Sequence, residues 1–443
     1  MNKRIGLIGD NSVEFIRHLI KIWNQNDCAV IIDWRIPWNT AQQMLEECGV
    51  TKCHIDSNYV KDKLECQNIE INVFESIHDI EYVPDTVIKS FEEKYSQDEA
   101  LILFSSGTTG KSKGVILTHY AINTNADAII KYMRLKENDC IYIIKTLAHS
   151  STIVGELLVG LKSGTCIYIA PTILSASTNL AKMQTVGATI VCMNPTVLHI
   201  YTLTQRIKHY ALPTLRTIYV SGSILGAKDI EDARSSFNNT NIFNVYGLSE
   251  AGPRVAAQSE ENVGNKAGGI GRAISGVRIK VINEQGNPTA ANEKGLICVA
   301  TPSISKGYVD STVSLKMIDA EWINTGDIGY FDEDGELFIT GRADNMMLVS
   351  SHNVYPEEIE DYIKTLDGVS DCIILSQKDQ VYGEKLCCYY VSDKELATEK
   401  LKEFCKRRLS TYEIPSNFVR LDKLITNVNG KKIRNISQYE NRG

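Results

Sequence analysis

Residues 101–115, Leu-Ile-Leu-Phe-Ser-Ser-Gly-Thr-Thr-Gly-Lys-Ser-Lys-Gly-Val, are the most informative chemistry-bearing run in the chain. An apolar stretch, Ala100–Phe104, reads as a buried strand and delivers a loop with Gly107, Gly110 and Gly114. Ser105, Ser106, Thr108 and Thr109 add hydroxyls, and Lys111 and Lys113 add ammonium groups. Glycine lets backbone N–H groups come close to oxygen anions, so the natural ligand is a polyphosphate. A flexible solvated loop is the plainer alternative, but such a loop needs few donors and rarely follows a buried strand directly. A P-loop is a near miss. Its pattern, G-x-x-x-x-G-K-[ST], puts Ser105 where the first glycine belongs, and Gly114-Val-Ile-Leu117 reads as strand where that motif opens a helix.

The loop resembles the phosphate-binding signature of the adenylate-forming (ANL) superfamily: acyl-CoA synthetases, peptide-synthetase adenylation domains and beetle luciferases. That signature usually reads Thr-Ser-Gly-Thr-Thr-Gly-x-Pro-Lys-Gly. Here Ser112 replaces the proline and Lys113 stands as the family lysine. Four more stretches follow in the family's order: Asn244-Val-Tyr-Gly-Leu-Ser-Glu250, Thr325-Gly-Asp327, Gly341-Arg-Ala-Asp344 and Asn429-Gly-Lys-Lys-Ile-Arg434. Weaker similarity at Gly268-Gly-Ile-Gly271 and Val381-Tyr-Gly-Glu384 fills the gaps, so the resemblance spans essentially the whole chain. The N-terminus reads as shorter than is usual for the family.

The resemblance implies roles. Ser105–Gly110 and Lys113 would cradle the phosphates of ATP. Gly222 and Ser223 lie where the family packs backbone against adenine, and Tyr246, within Asn244-Val245-Tyr246-Gly247, offers a face to stack on it. Core packing of a strand-end tyrosine is the bland alternative. Glu250 is a carboxylate among phosphates, where Mg²⁺ is the obvious bridge. Ser249 stands where the family has threonine and keeps the hydroxyl. Asp327 resembles the residue that accepts from both ribose hydroxyls, as an acceptor-only carboxylate can. Alone, Thr-Gly-Asp is just a turn. Arg342 would help bind the nucleotide, and Asp344 is the family's hinge position. Lys431 matches the lysine that bridges the α-phosphate and the carboxylate; Lys432 is the alternative, and spacing to Arg434 favours Lys431.

The implied reaction activates a carboxylic acid as an acyl-adenylate, releases pyrophosphate, and transfers the acyl group to a thiol. The acid pocket falls at Leu147-Ala-His149, Ser150, Ser151, Gly247 and Leu248. His149 serves as gate or wall rather than base. Relatives that activate α-amino acids carry an Asp where this chain has Ser151, so an α-amino acid is disfavoured. Glu156 is the polar residue of an otherwise apolar helix and reads as solvated or capped, with recognition of an amine or hydroxyl as the alternative. A small aryl or acyl acid fits, aryl preferred. For the thiol, Ser350 and Ser351 replace the Gly-Gly turn of many relatives. CoA is the first choice, because Asn353-Val-Tyr-Pro356 and Val381-Tyr-Gly-Glu384 look like acid–CoA ligases; the phosphopantetheine arm of a carrier protein comes second. A catalytically dead nucleotide-binding module would be expected to lack Lys431, Glu250 or Asp327, and all are present.

Elements must hold these residues in place. From about residue 98 to 246, strands alternate with helices, which implies crossover units and a parallel sheet. Thr118 caps a helix through Met133; Ser150–Leu161, Thr196–His209 and Lys228–Phe237 are further helices. Ile5–Ile8, Ala29–Asp33 and Cys53–Ile55 continue the strand pattern toward the N-terminus. After Gly264, Gly-rich turns separate short β segments, including Ile328–Asp332 and Glu336–Thr340, as in a β-barrel-like lobe. Beyond Asp344, helices Pro356–Leu366 and Leu396–Leu409 flank strands Cys372–Leu375 and Lys385–Val391. The fold class is therefore α/β. Residues 1–342 form a large N-terminal domain of parallel-type sheets with flanking helices plus the barrel-like lobe, and 344–443 a small mobile α+β C-terminal domain.

Composition bounds the rest. The chain has 443 residues, 43% of them hydrophobic and 23% charged, which suits a folded protein with a sizeable core. A net charge of −7 argues against a dedicated nucleic-acid partner. No apolar run approaches the ~18–20 residues of a membrane span, and Asp10 cuts the first apolar run too short for a signal peptide. The twelve cysteines contain no C-x-x-C pair and sit mostly in apolar runs, the pattern of reduced core thiols in a cytoplasmic protein. A homodimer is among the assemblies this reading allows.

Overall fold

Runs such as Cys28-Ala-Val-Ile-Ile-Asp33 and Ile190-Val-Cys-Met193 are buried at every residue, as strands covered on both faces must be. A computed structural model describes residues 3–59, 68–106, 112–222, 225–259, 266, 268–349, 352–379, 383–394, 396–426 and 432–440. The chain divides into two units. The first comprises Met1–Leu225, Asp229–Lys280 and Cys298–Thr325; the second comprises Gly226–Lys228, Val281–Ile297 and Gly326–Gly443.

The first unit carries two sheets. In the seven-stranded sheet, Arg4–Gly9 is central and runs parallel to Cys28–Asp33 and to Lys52–Asp56. Cys28–Asp33 runs parallel to Glu99–Ser106. There the direction reverses: Ser112–Thr118 is antiparallel to Glu99–Ser106, and Gly307–Tyr308 is antiparallel to Ser112–Thr118. The strand at 112–118, with no helix in its place, rules out the P-loop geometry. The eight-stranded sheet sets Asn241–Tyr246, Thr217–Val220, Ile190–Met193, Cys140–Ile143 and Cys166–Ile169 side by side in parallel.

Local chemistry starts the helices where expected. Thr118 accepts from Ala121 N at 3.1 Å and opens helix His119–Met133; Asn194 accepts from Val197 N at 2.8 Å and opens Pro195–Lys208. Three longer helices were not anticipated, Val13–Asn24, Trp38–Glu47 and Ala176–Val186, nor were the short helices Asp85–Lys89 and Ser437–Glu440. The helix expected at 150–161 forms, but its middle, Ile153–Leu158, is wound as a π-helix between Ser150–Thr152 and Val159–Ser163. Such turns are rare and cluster at functional sites.

In the second unit, strand Ile323–Phe331, which enters from the first unit, pairs antiparallel with Leu337–Arg342. It begins before the expected Ile328 and takes in Thr325-Gly-Asp327, so that segment is strand rather than a free turn. Further on, Asp371–Asp379 and Gly383–Val391 pair antiparallel, Asn417–Leu421 joins in parallel, and helices Pro356–Lys364 and Thr398–Lys406 complete an α+β arrangement. All described cysteines are free and all but Cys166 are buried. Among the described residues, no helix is long and apolar enough to cross a membrane.

Candidate active site

The hairpin Glu99–Ser106/Ser112–Thr118 sets Ser105 opposite Lys113 and Ser106 opposite Ser112. Gly107, Thr108, Thr109 and Gly110 lie outside the described residues. Lys113 Nζ stands 5.6 Å from the ring centroid of Tyr308, within cation–π range. The Tyr308 hydroxyl donates to Glu250 Oε1 at 2.9 Å. Burial, then the Glu250 charge, push the Tyr308 hydroxyl up, so it remains a donor. Sequence reasoning missed Tyr308. It reaches the site only because Gly307–Tyr308 pairs with Val115 and Ile116, a contact with no local signature.

Asn244 is buried; its Nδ2 donates to Gly269 O at 3.0 Å, and its backbone N–H is received by Gln258 Oε1 at 3.0 Å. Val245 and Tyr246 pair with Ala257 and Ala256, and Tyr246 is 8% exposed. Gly247 must be glycine, because a Cβ there would lie 1.7 Å from the Pro253 carbonyl oxygen. That close approach turns the chain through Leu248 into a 3₁₀ turn, Ser249–Ala251. Gly222 follows strand Thr217–Val220, while Ser223 lies outside the described residues.

The turn carrying His149 docks on this motif. Ser150 Oγ and Ser249 Oγ are 2.9 Å apart. His149 precedes the helical run. Burial raises the Asp33 carboxyl, but the Arg35 guanidinium, with His149 assisting, holds it below its usual range. Ser151 Oγ accepts from Lys145 Nζ at 3.4 Å. Lys145 also pairs with Glu156, Nζ to Oε1 at 3.0 Å. Glu156 is fully buried, which overturns the expectation of a solvated or capped side chain. The π-helix turns it inward. Burial pushes its carboxyl up, against the pull of Lys145 and Arg254.

The second unit groups the other predicted residues. Register sets Asp327 opposite Arg342, and Arg342 Nη1 donates to Asp327 Oδ1 at 3.0 Å. Arg342 Nη2 lies 3.5 Å from Asp344 Oδ2. Lys431, Ser350 and Ser351 lie outside the described residues. Lys432 is committed elsewhere: its Nζ donates to Cys372 O at 2.6 Å and pairs with Asp371 at 2.7 Å.

Glu250 presents one carboxylate, with the Ser249 hydroxyl as its sequence neighbour. Among the described residues, no group of three or more His, Cys, Asp or Glu forms a metal cage. That donor set fits Mg²⁺, which is typically held by one or two carboxylates plus substrate phosphates and water.

Residues 1–309 match the AMP-binding enzyme family, and residues 358–431 match the AMP-binding enzyme C-terminal domain. A 4-coumarate–CoA ligase of Vanilla planifolia is 29% identical over 323 residues, covering 70% of this chain. The chain spans only 58% of that relative's length. An oxalate–CoA ligase of Arabidopsis thaliana is 28% identical, covering 80% of this chain and 70% of the relative. Among solved structures, the o-succinylbenzoate CoA synthetase of Bacillus subtilis, in complex with its acyl-adenylate intermediate, superposes with a TM-score of 0.82 at 22% identity. The superposition covers 98% of this chain and 87% of that one.

Proposed function

This chain belongs to the AMP-binding enzyme family, and on that premise we propose that it activates a small carboxylic acid with ATP and passes the acyl group to a thiol. A carboxylate is a poor electrophile because its leaving group would be oxide. In the first step, a carboxylate oxygen bonds to the α-phosphorus and pyrophosphate departs. In the second, a thiol sulfur bonds to the acyl carbon, AMP departs with the bonding pair, and the thiol proton goes to solvent.

Both partners of the first step are anions, so the chain's task is to neutralise charge. Lys113 and the 105–110 loop would hold the phosphates. Asp327 would accept from the ribose hydroxyls, with Arg342 alongside. Tyr308 holds one oxygen of Glu250 and so orients that carboxylate. Mg²⁺, when bound by Glu250 and Ser249, supplies neutralising charge at the phosphates. Lys431 would reach the α-phosphate and the acid. No general base is needed, because the carboxylate already carries its lone pair. Domains 1–342 and 344–443, with Asp344 as hinge, would let the lysine leave before the thiol arrives.

The observation that carries this reading is one line of contacts in the first unit. It runs from Lys113 through Tyr308 to Glu250, and from adjacent Ser249 to Ser150 at the acid pocket. It supports a phosphate site and a carboxylate site that share a wall. The acid is small. The apolar residues of the 150–161 run favour an aryl ring, while the relatives' named acids include both 4-coumarate and oxalate. CoA is the preferred thiol, as in those relatives' names; a carrier-protein phosphopantetheine arm, chemically the same thiol, is the second reading, and Ser350 and Ser351 in place of a Gly-Gly turn would narrow the path of either.

The test is an acid panel in ATP–pyrophosphate exchange, followed by CoA or candidate carrier proteins with thioester detected by mass. Exchange should require an acid, and thioester should follow with AMP release. ATP hydrolysis to ADP without acid dependence would overturn the reading.

A further inference from the structure

Behind the Ser150–Ser249 contact lies a group of charges that adenylation itself does not use. Lys145 leaves strand Cys140–Ile143 and extends toward the helical run, where Ser151 Oγ is 3.4 Å and Glu156 Oε1 is 3.0 Å from its Nζ. Arg254, just beyond the Ser249–Ala251 turn, comes in beside Gly155. A Cβ on Gly155 would stand 3.2 Å from Arg254 Nη2, so glycine there makes room for the guanidinium. Asn125 fixes the arginine's backbone, accepting from Arg254 N at 2.9 Å and donating to its carbonyl at 2.9 Å.

All of this is inside the protein. Glu156 is 0% exposed, Arg254 is 2% exposed, and the Lys145 side chain keeps 10%. The group is also unfinished. Among the described residues, Nε and Nη2 of Arg254, the Tyr132 hydroxyl and both Glu156 oxygens are buried without a well-formed hydrogen bond, with Tyr132 beside the guanidinium and the Cys192 thiol beside the Glu156 carboxyl. The Lys145–Glu156 contact is an ion pair without hydrogen-bond alignment. Buried donors left open cost folding free energy and call for an explanation. Two cations face one carboxylate, which leaves a surplus of one positive charge. A guanidinium with free N–H groups is shaped to take a carboxylate through two parallel hydrogen bonds.

We propose that this cluster receives a second anionic group of the acid substrate, so that the substrate class is a short dicarboxylic acid. One carboxylate meets Arg254 and Lys145 while the other is activated. The inference rests on the adenylating reading above and deepens it. It is compatible with an aryl or an aliphatic frame between the two carboxylates. Glu156 positions Lys145 and limits the surplus to one charge, which one carboxylate neutralises.

The test measures exchange with a ladder of aliphatic and aryl dicarboxylic acids, each beside its own monomethyl ester. The ester keeps the frame and removes one charge. For the best diacid, kcat/KM should exceed that of its monoester by ~10²-fold or more, since a site built for a buried polar group rejects the analogue that lacks it. Arg254→Leu and Lys145→Met should each bring that ratio toward one, and Arg254→Lys should restore part of it. The ratio does not depend on how much of a variant is folded. Monoesters that serve as well as diacids, or a ratio untouched by Arg254→Leu, overturn the dicarboxylate inference and leave adenylation standing. Exchange with no acid of any class sinks the adenylation reading and the inference with it.

Discussion

Each unit buries a knot of ionic side chains, and the two knots are finished to different degrees. In the second unit, Glu360 accepts from Arg434 Nη1 at 2.7 Å, from Arg434 Nη2 at 3.0 Å and from Ile374 N at 2.8 Å. Lys432 is tied to Cys372 O and Asp371. The open buried side-chain atom there, among the described residues, is Glu357 Oε2. In the first unit, Lys145 pairs with Glu156 and the Arg254 charge acts on the same carboxyl, but both Glu156 oxygens and Arg254 Nε and Nη2 lack a well-formed hydrogen bond. Two buried glutamates therefore end on opposite sides of their ordinary value. Burial raises both, but Arg434 and then Lys432 bring Glu360 down, whereas Lys145 and Arg254 do not bring Glu156 back. A saturated knot holds a fold together. An unsaturated one has capacity left for a ligand.

Breaking the saturated knot should have the largest effect. Arg434→Leu takes both guanidinium hydrogen bonds from buried Glu360 and leaves it only Lys432, 3.6 Å away, and the Ile374 N–H; loss of one partner of such a pair typically costs about 3–5 kcal/mol. Urea unfolding should show this loss. If the midpoint barely moves, the second-unit network is not the structural member of the comparison.

Next comes the contrast between neighbouring lysines. Lys432 belongs to the saturated knot, so Lys432→Ala should act through stability. Lys431 is the proposed reaching group, so Lys431→Ala should lower acid-dependent pyrophosphate exchange by ~10²–10³, the usual contribution of a preorganised donor. Thioester formation from supplied acyl-adenylate should fall far less. Near-normal exchange in Lys431→Ala would refute its role. A smaller effect is expected for Tyr308→Phe, which removes the hydrogen bond to Glu250 and keeps the ring under Lys113. Roughly a tenfold rise in KM for MgATP is expected, in line with one hydrogen bond to a charged group; an unchanged KM would detach Tyr308 from the phosphate site.

The contrast also bears on what a sequence can reveal. Helix His119–Met133 was legible because Thr118 is a local cap, and the parallel strands because each is a short apolar run bounded by turns. The stretches 244–250, 325–327 and 341–344 could be read because their residue types and order match a family pattern. Helix Val13–Asn24 was missed although Ser12 caps it, accepting from Phe15 N at 3.1 Å as Thr118 accepts from Ala121 N; the cap was there to be read, and the basic residues Arg17, His18 and Lys21 break its apolar run into short groups. The π-turn at 153–158 has no local signature, and it sets Gly155 against Arg254, about a hundred residues further along the chain. Lys145 follows strand Cys140–Ile143 and Glu156 sits in the helical run from Ser150, so their pairing has no spacing signature. A buried glutamate then looks like a surface one, which is how Glu156 was misjudged. Tyr308 likewise owes its place to strand pairing.

The smallest effect separates the two glutamates by pH. Glu360 has a lowered carboxyl in the folded state, so its stabilisation is complete above the ordinary glutamate value of 4.5 and disappears as pH falls through its own lower value. Glu156 is raised, so the sign reverses: the folded state favours its protonated form. Its favourable contribution is complete below 4.5 and is lost as pH rises through the raised value. Glu156→Gln should therefore flatten the decline in stability on the alkaline side of 4.5, and Glu360→Gln should flatten the decline on the acid side. Thermal unfolding of the three proteins across that range reads both slopes. A bound dicarboxylic acid adds a second test. By placing a further negative charge beside Glu156, it should raise that carboxyl again and carry the alkaline decline to higher pH in the wild-type chain but not in Glu156→Gln. If the ligand shifts both proteins alike, the anion is not seated beside Glu156, and the two knots differ for a reason unconnected with the substrate.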